Sequence, residues 1–208
     1  MPVRPTLLQP AANQGAVTGA LHPLQTFAGL DDPQATGSRL AGVTFAVAGS
    51  AGGEWLSEFL SDLAREVGGR PVFIRDEDRP LYHAAAVLSC GYLAALLQAA
   101  AALWQEMGVP QQEAIEAIYP LARATLENAA IKGISASVTG PLVRGDTATV
   151  HLHLEALSHR LPELVPLYGA LTHASLSLAA GRGVAPAQLA AMRRLADCYL
   201  HNTPGLGD

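Results

Sequence analysis

The chain has 208 residues, half of them apolar and 15% charged, which excludes wholesale disorder and leaves enough apolar material for a buried core. Its net charge of −5 and single lysine, Lys132, provide no basic run that would hold nucleic acid. Its two cysteines, Cys90 and Cys198, lie far apart and outside any metal or redox spacing.

Residues 1–14 are rich in Pro and Ala and lack both a continuous apolar run and a small-residue cleavage site. No signal peptide is read there, and the cytoplasm is the expected compartment. Gly15 to Leu21 reads as a short strand that delivers His22-Pro23. Gly29 to Gly42, with Asp31-Asp32-Pro33 and further glycines, reads as a loop. Val43 to Val47 is a β-branched and aromatic run, hence a strand. Trp55, Leu56, Phe59, Leu60, Leu63 and Val67 recur at helical spacing, and Gly68-Gly69 closes that helix before a short strand at Pro71–Ile74.

Pro80 to Gln105 then runs without one Asp, Glu, Lys or Arg, and as a helix it is apolar on almost every face. Such a helix is expected to be buried nearly all round, either in a bilayer or in the middle of a helical domain. Three features oppose the bilayer. Most of the apolar residues are Ala, polar residues such as His83, Ser89 and Gln98 are scattered along the run, and the flanks are mixed or acidic. The expected element is a central helix whose small residues let neighbouring helices or a partner subunit approach, with Cys90 buried in it as a free thiol.

Pro110 opens a further helix to about Ile131, bent near Pro120. Gly133–Gly145 reads as a loop, and Asp146 as the N-cap of a helix over Thr147–His159. Helices over Pro162–Ala180 and Pro186–Leu200 follow, each opened by proline, before a frayed tail. The expected division is an α/β segment at 1–75, an all-helical segment at 76–201 and a tail at 202–208.

Several residues could carry chemistry. Gly49-Ser50-Ala51-Gly52-Gly53 sits between strand and helix, where a dinucleotide turn would lie. It is not GxGxxG, and no acidic residue closes the next strand, where Ile74 leads to Arg75. A plain strand-to-helix turn is the simpler reading, although its helix N-terminus could accept an anion. His22, restrained by Pro23 and followed by Gln25 and Thr26, suits either a structural loop role or acid–base and substrate contact. His83, one turn into the apolar helix, reads as a core histidine or as a group looking into a cleft, with Tyr82 facing elsewhere. His151, Glu155 and His159 share a helix stripe, but without a fourth ligand they read as a solvated face and no metal is expected. Thr139 and Arg144 lie in a compact loop, where Arg144 could grip a phosphate or carboxylate or pair with a neighbouring acid.

Taken in order, LHPLQTF at Leu21–Phe27, LYHAAAVLSCGYLAALL at Leu81–Leu97 and TGPLVRGD at Thr139–Asp146 resemble one family, the Rossmann-like and DUF2520 domain-containing proteins. The resemblance covers about Gly15 to Ala180. It implies an α/β remnant, the C-terminal part of a Rossmann-like domain, and then an all-α domain. That second domain would be similar to the C-terminal domains of 6-phosphogluconate dehydrogenase and pyrroline-5-carboxylate reductase.

It further implies an NAD(P)-dependent oxidoreductase of unknown substrate and a homodimer formed through the helical part. The substrate cleft would lie between the domains, near His22, His83, Thr139 and Arg144. His22-Pro23 also stands where the related prephenate dehydrogenases carry a substrate-contacting His-Pro. Two departures matter. Only 20 residues precede Leu21, so the family's Gly-rich fingerprint is missing, and NAD(P) is expected for the full-length family rather than for this chain alone. Gly91 and Arg79 replace a common Asn and Lys, respectively. The alternative function is a non-catalytic helical dimerisation or ligand-binding module; a membrane scaffold built on the apolar helix is a third possibility.

Overall fold

The computed structural model describes residues 7–27, 37, 39–49 and 53–201. Contacts divide the chain into two compact units, Met1–Ala94 and Ala95–Asp208, with the boundary inside a helix.

The first unit is built on a three-stranded sheet in the order β1 (Gly19–Pro23), β2 (Thr44–Gly49), β3 (Arg70–Phe73). A short α1 (Gln9–Ala12) precedes β1. β1 runs antiparallel to β2, pairing Leu21 with Val47 and His22 with Ala46. β2 runs parallel to β3 and is joined to it through α2 (Glu54–Glu66).

β2 is buried on both faces, as expected of a central strand between two partners. Phe45 on one face packs with Val43, Leu21 and Ala64 of α2, while Ala46 and Ala48 occupy the other. Leu56, Leu60 and Ala64 recur every four residues and present one stripe of α2 to the sheet. Both outer strands carry a proline at an outward-facing position. Arg70 and Ile74 donate to Val43 and Val47, so the amide position of Pro71, out of phase with both, faces away from β2. Leu24 donates to Thr44, which places Pro23 outward on β1 in the same way. A residue without an N–H fits there and blunts the edge.

The first strand begins later than the Gly15–Leu21 expected, because its register with β2 starts at Gly19↔Gly49. His22 and Pro23 therefore lie within the strand rather than after it.

Beyond a 3-10 turn at Asp76–Asp78, the apolar run forms two helices, α3 (Arg79–Ser89) and α4 (Gly91–Glu106), broken at Cys90. The Ser89 hydroxyl donates to the Ala85 carbonyl, and Gly91 follows with no Cβ, a combination that bends helices. The expected burial does not hold. Leu81 is 73% exposed and Leu88 62%, and Tyr92 and Cys90 are exposed as well. Ala side chains give such a helix little apolar area to anchor it, so its few large residues remain at the surface. By length and composition alone, Asp76–Glu106 is long and apolar enough to cross a membrane.

In the second unit, α5 (Gln111–Lys132) runs through Pro120. Two four-residue helices follow, α6 (Ile134–Ser137) and α7 (Pro141–Arg144), where a loop was expected. Left-handed Gly133 and Gly140 start them, so the segment is punctuated by glycine without being irregular. The remaining helices are α8 (Thr147–Arg160), α9 (Val165–Gly181, after a 3-10 turn at Pro162–Leu164) and α10 (Pro186–His201).

Val150, Leu154, Leu157 and Val165 form the buried cluster of this unit. Buried Met192 and Ala196 of α10 and Leu176 and Ala179 of α9 add to its core. Asp146 caps α8 as expected, accepting from the Thr149 amide at 3.1 Å and its hydroxyl at 2.7 Å. Gly145 before it is buried at φ +71°, and a Cβ there would meet the Gln188 amide at 2.6 Å, so both conformation and space require glycine.

Candidate functional site

One group of titratable side chains in the first unit is held by two different elements. β1 places Ala20 and His22 on the sheet face opposite α2, and the first turn of α3 supplies Arg79, Tyr82 and His83. His22 Nδ1 lies 2.7 Å from the Tyr82 hydroxyl, with the rings edge to face at 5.6 Å. Partial burial, and then the nearby His83, hold His22 below its ordinary value of 6.5. Burial pushes Tyr82 above its ordinary value of 10.0.

Both groups are therefore neutral at pH 7, and the hydrogen bond between them has two forms. If Nδ1–H donates to Tyr82, Nε2 keeps a lone pair and acts as a base. If Tyr82 donates to Nδ1, Nε2 carries the proton and acts as a donor. The pair can take up a proton or present one.

The sequence reading put Tyr82 on another face and missed it. The available signal was its i,i+3 spacing from Arg79, which places both on one side of the first turn. The pairing itself depends on where the strand lies, which periodicity does not reveal.

The other candidates are arranged differently. The Gln25 side-chain oxygen accepts from the Thr26 amide at 2.9 Å, a local bond that holds the turn after β1. Thr139 and Arg144 belong to the second unit, Thr139 just before α7 and Arg144 at its last position. Both are exposed, and Arg144 lies 3.8 Å from Asp146, which matches its ion-pair reading. His151 Nδ1 lies 3.4 Å from the Tyr199 hydroxyl, and His153 Nδ1 lies 2.7 Å from that of Tyr168. Among the described residues, no three His, Cys, Asp or Glu side chains converge on a point where a metal could sit.

The turn at Gly49–Gly53 is described only at its ends, and Ser50, Ala51 and Gly52 lie outside the described residues. A Cβ at Gly49 would collide with the Ser57 hydroxyl, so this glycine lets strand and helix touch. At the end of β3, Arg75 is exposed and paired with Glu77 at 2.8 Å and Asp78 at 2.7 Å. The turn does not have the GxGxxG spacing of a dinucleotide cradle, and β3 leads into Ile74 and Arg75 rather than into a carboxylate for a ribose.

The family model "Domain of unknown function (DUF2520)" matches residues 43–175. The chain belongs to the DUF2520 family. Among solved structures, this DUF2520 chain is similar to protein TM1727 from Thermotoga maritima, with 21% identity and a TM-score of 0.67 over 78% of this chain and 62% of that one. It is also similar to BF3122 from Bacteroides fragilis, described as a "putative NADP oxidoreductase". That match has 23% identity and a TM-score of 0.61, over 76% of this chain and 57% of that one. No curated protein matches it.

The DUF2520 chain spans less than two thirds of either structural relative. Its fold is that of these two structures: a small three-stranded sheet, then an all-helical region.

Proposed function

We propose that this chain carries the proton-handling part of an NAD(P)-linked oxidoreductase acting on a small polar substrate. The observation that carries the reading is the neutral His22–Tyr82 pair at 2.7 Å. The family relation and the NADP oxidoreductase description of BF3122 support the same reaction class. In this proposal His22 Nε2 takes the proton of a substrate hydroxyl while Nδ1–H is held by Tyr82, and partial burial, then His83, keeps the imidazole neutral. Gln25 and Thr26, beyond the end of β1, are proposed substrate contacts.

In protein recovered from its native source, His22→Ala is expected to lower NADPH-dependent turnover of small carbonyl or imine compounds by well over tenfold, within the ordinary range for a general acid or base. The circular dichroism spectrum should not change. Turnover near wild type would remove His22 from the site.

A second reading, a non-catalytic helical dimerisation or ligand-binding module, is favoured by one observation: Leu81, Leu88 and Tyr92 of the apolar helices are exposed. On either reading, the 208-residue chain by itself should show no saturable NADPH binding at micromolar concentration. Stoichiometric binding in a calorimetric titration would sink that expectation and direct attention to the turn at 49–53. We further propose a cytoplasmic protein that pairs with a second copy through its exposed apolar helices, with no membrane span and no nucleic-acid partner.

A further inference from the structure

A cavity of about 40 Å3 opens on the same sheet face as His22, and its walls include Gly19, Ala20, Ala48, Gly49, Asp76 and Arg79. Its volume takes about three waters, or one group of carboxylate or phosphate size. Small residues form the sheet side of this space. Gly19 and Ala20 come from β1, Ala48 and Gly49 from the carboxyl end of β2, and ligands of open α/β sheets bind outside carboxyl ends. The opposite wall is charged. The Arg79 side chain is only 27% exposed, and its single hydrogen bond to another side chain among the described residues runs from Nη1 to Asp76 Oδ1 at 3.2 Å. A guanidinium has five donors in a planar fork, so most of its capacity remains for a second acceptor.

We propose that this cavity is a subsite for a small anionic group, carboxylate or phosphate, held by Arg79 after exchange from Asp76. Ala20 precedes His22 by two residues on the same strand face, and Tyr82 follows Arg79 by one helical turn. An anion on Arg79 therefore leaves the rest of its molecule beside the His22–Tyr82 pair. The substrate class would be small acids or phosphorylated metabolites bearing a hydroxyl or carbonyl near the charged end. This deepens the oxidoreductase reading and rests on it for the reaction, but the binding itself does not.

The test uses the 208-residue chain and two probes, acetate and inorganic phosphate, each titrated against chloride at constant ionic strength while amide shifts are followed by NMR. The expected result is saturable shifts confined to Gly19, Ala20, Ala48, Gly49 and Arg79, with the tighter probe naming the headgroup. Arg79→Met should weaken binding by at least about tenfold, since a hydrogen bond to a charged group is lost. Asp76→Asn should tighten it by about threefold or more, because a like charge leaves the cavity and the guanidinium is released. His22→Ala should leave it unchanged. Shifts spread over the surface, or shifts unaltered in Arg79→Met and Asp76→Asn, overturn the subsite. Binding that persists when His22→Ala has normal turnover retires the His22 mechanism and keeps the subsite.

Discussion

At the scale of the residue, the decisive feature is a histidine held in its neutral form by its surroundings. Partial burial and His83 both disfavour the imidazolium at His22, so its folded-state value lies below the 6.5 of the unfolded chain. Its contribution to stability is fully present above pH 6.5 and is lost as pH falls through the folded value, because the unfolded chain then binds the proton more readily. Replacing His83 by Gln removes one of the depressing influences, so His22 should titrate at higher pH, as read from its imidazole proton shifts. An unchanged or lower midpoint would mean that His83 does not act on His22. Asp146 behaves in the opposite sense. Bonds from the Thr149 side chain and backbone hold its carboxyl below the ordinary range, so its contribution is present at neutral pH and fades on acidification.

At the scale of the element, the two units show different kinds of stability. In α8, Leu154 is fully buried among Val150, Leu157 and Val165. Leu154→Ala should cost about 2–5 kcal/mol in urea unfolding, the usual range for a large-to-small change in a closed core. A cost below 1 kcal/mol would mean that this cluster is not the core of the unit. The apolar α3 contrasts with it: Leu88 is exposed, although its helix is among the most apolar stretches of the chain.

Periodicity identified α2 through Trp55–Val67, and the Asp146 cap and the Pro186 start located α8 and α10, because these are local signals. The same signals failed at 133–145. Glycine and proline there punctuate two one-turn helices, and local composition does not separate such turns from a loop. They failed again at Cys90, where the Ser89–Ala85 bond and Gly91 break what reads as one continuous helix.

At the scale of the whole molecule, the open question is what covers the apolar helices. Leu81, Leu88 and Tyr92 of the first unit, and Leu121 and Ile131 of the second, lie at the surface; scattered exposed leucines are ordinary, whereas a contiguous apolar face is not. On the proposed pairing, the chain should sediment as a concentration-dependent dimer, and the double variant Leu81→Glu and Leu88→Glu should sediment as a folded monomer. Flotation of the wild-type chain with neutral vesicles, and no dimer in their absence, would replace pairing by membrane attachment.

What the sequence determined by itself was whatever short-range chemistry encodes. It gave the helical periods, the caps and the central strand, and, through three spaced motifs, the DUF2520 relation. The tertiary structure alone decided that His22 lies within the strand, that Tyr82 rather than His83 meets its ring, and that Arg79 lines a cavity beside them. It also decided that the large side chains of the uncharged run at 80–105, Leu81, Leu88 and Tyr92 among them, lie open. Those outcomes depend on strand register and on which faces find a neighbour, and both are set by contacts between residues distant in the chain, which no local pattern records.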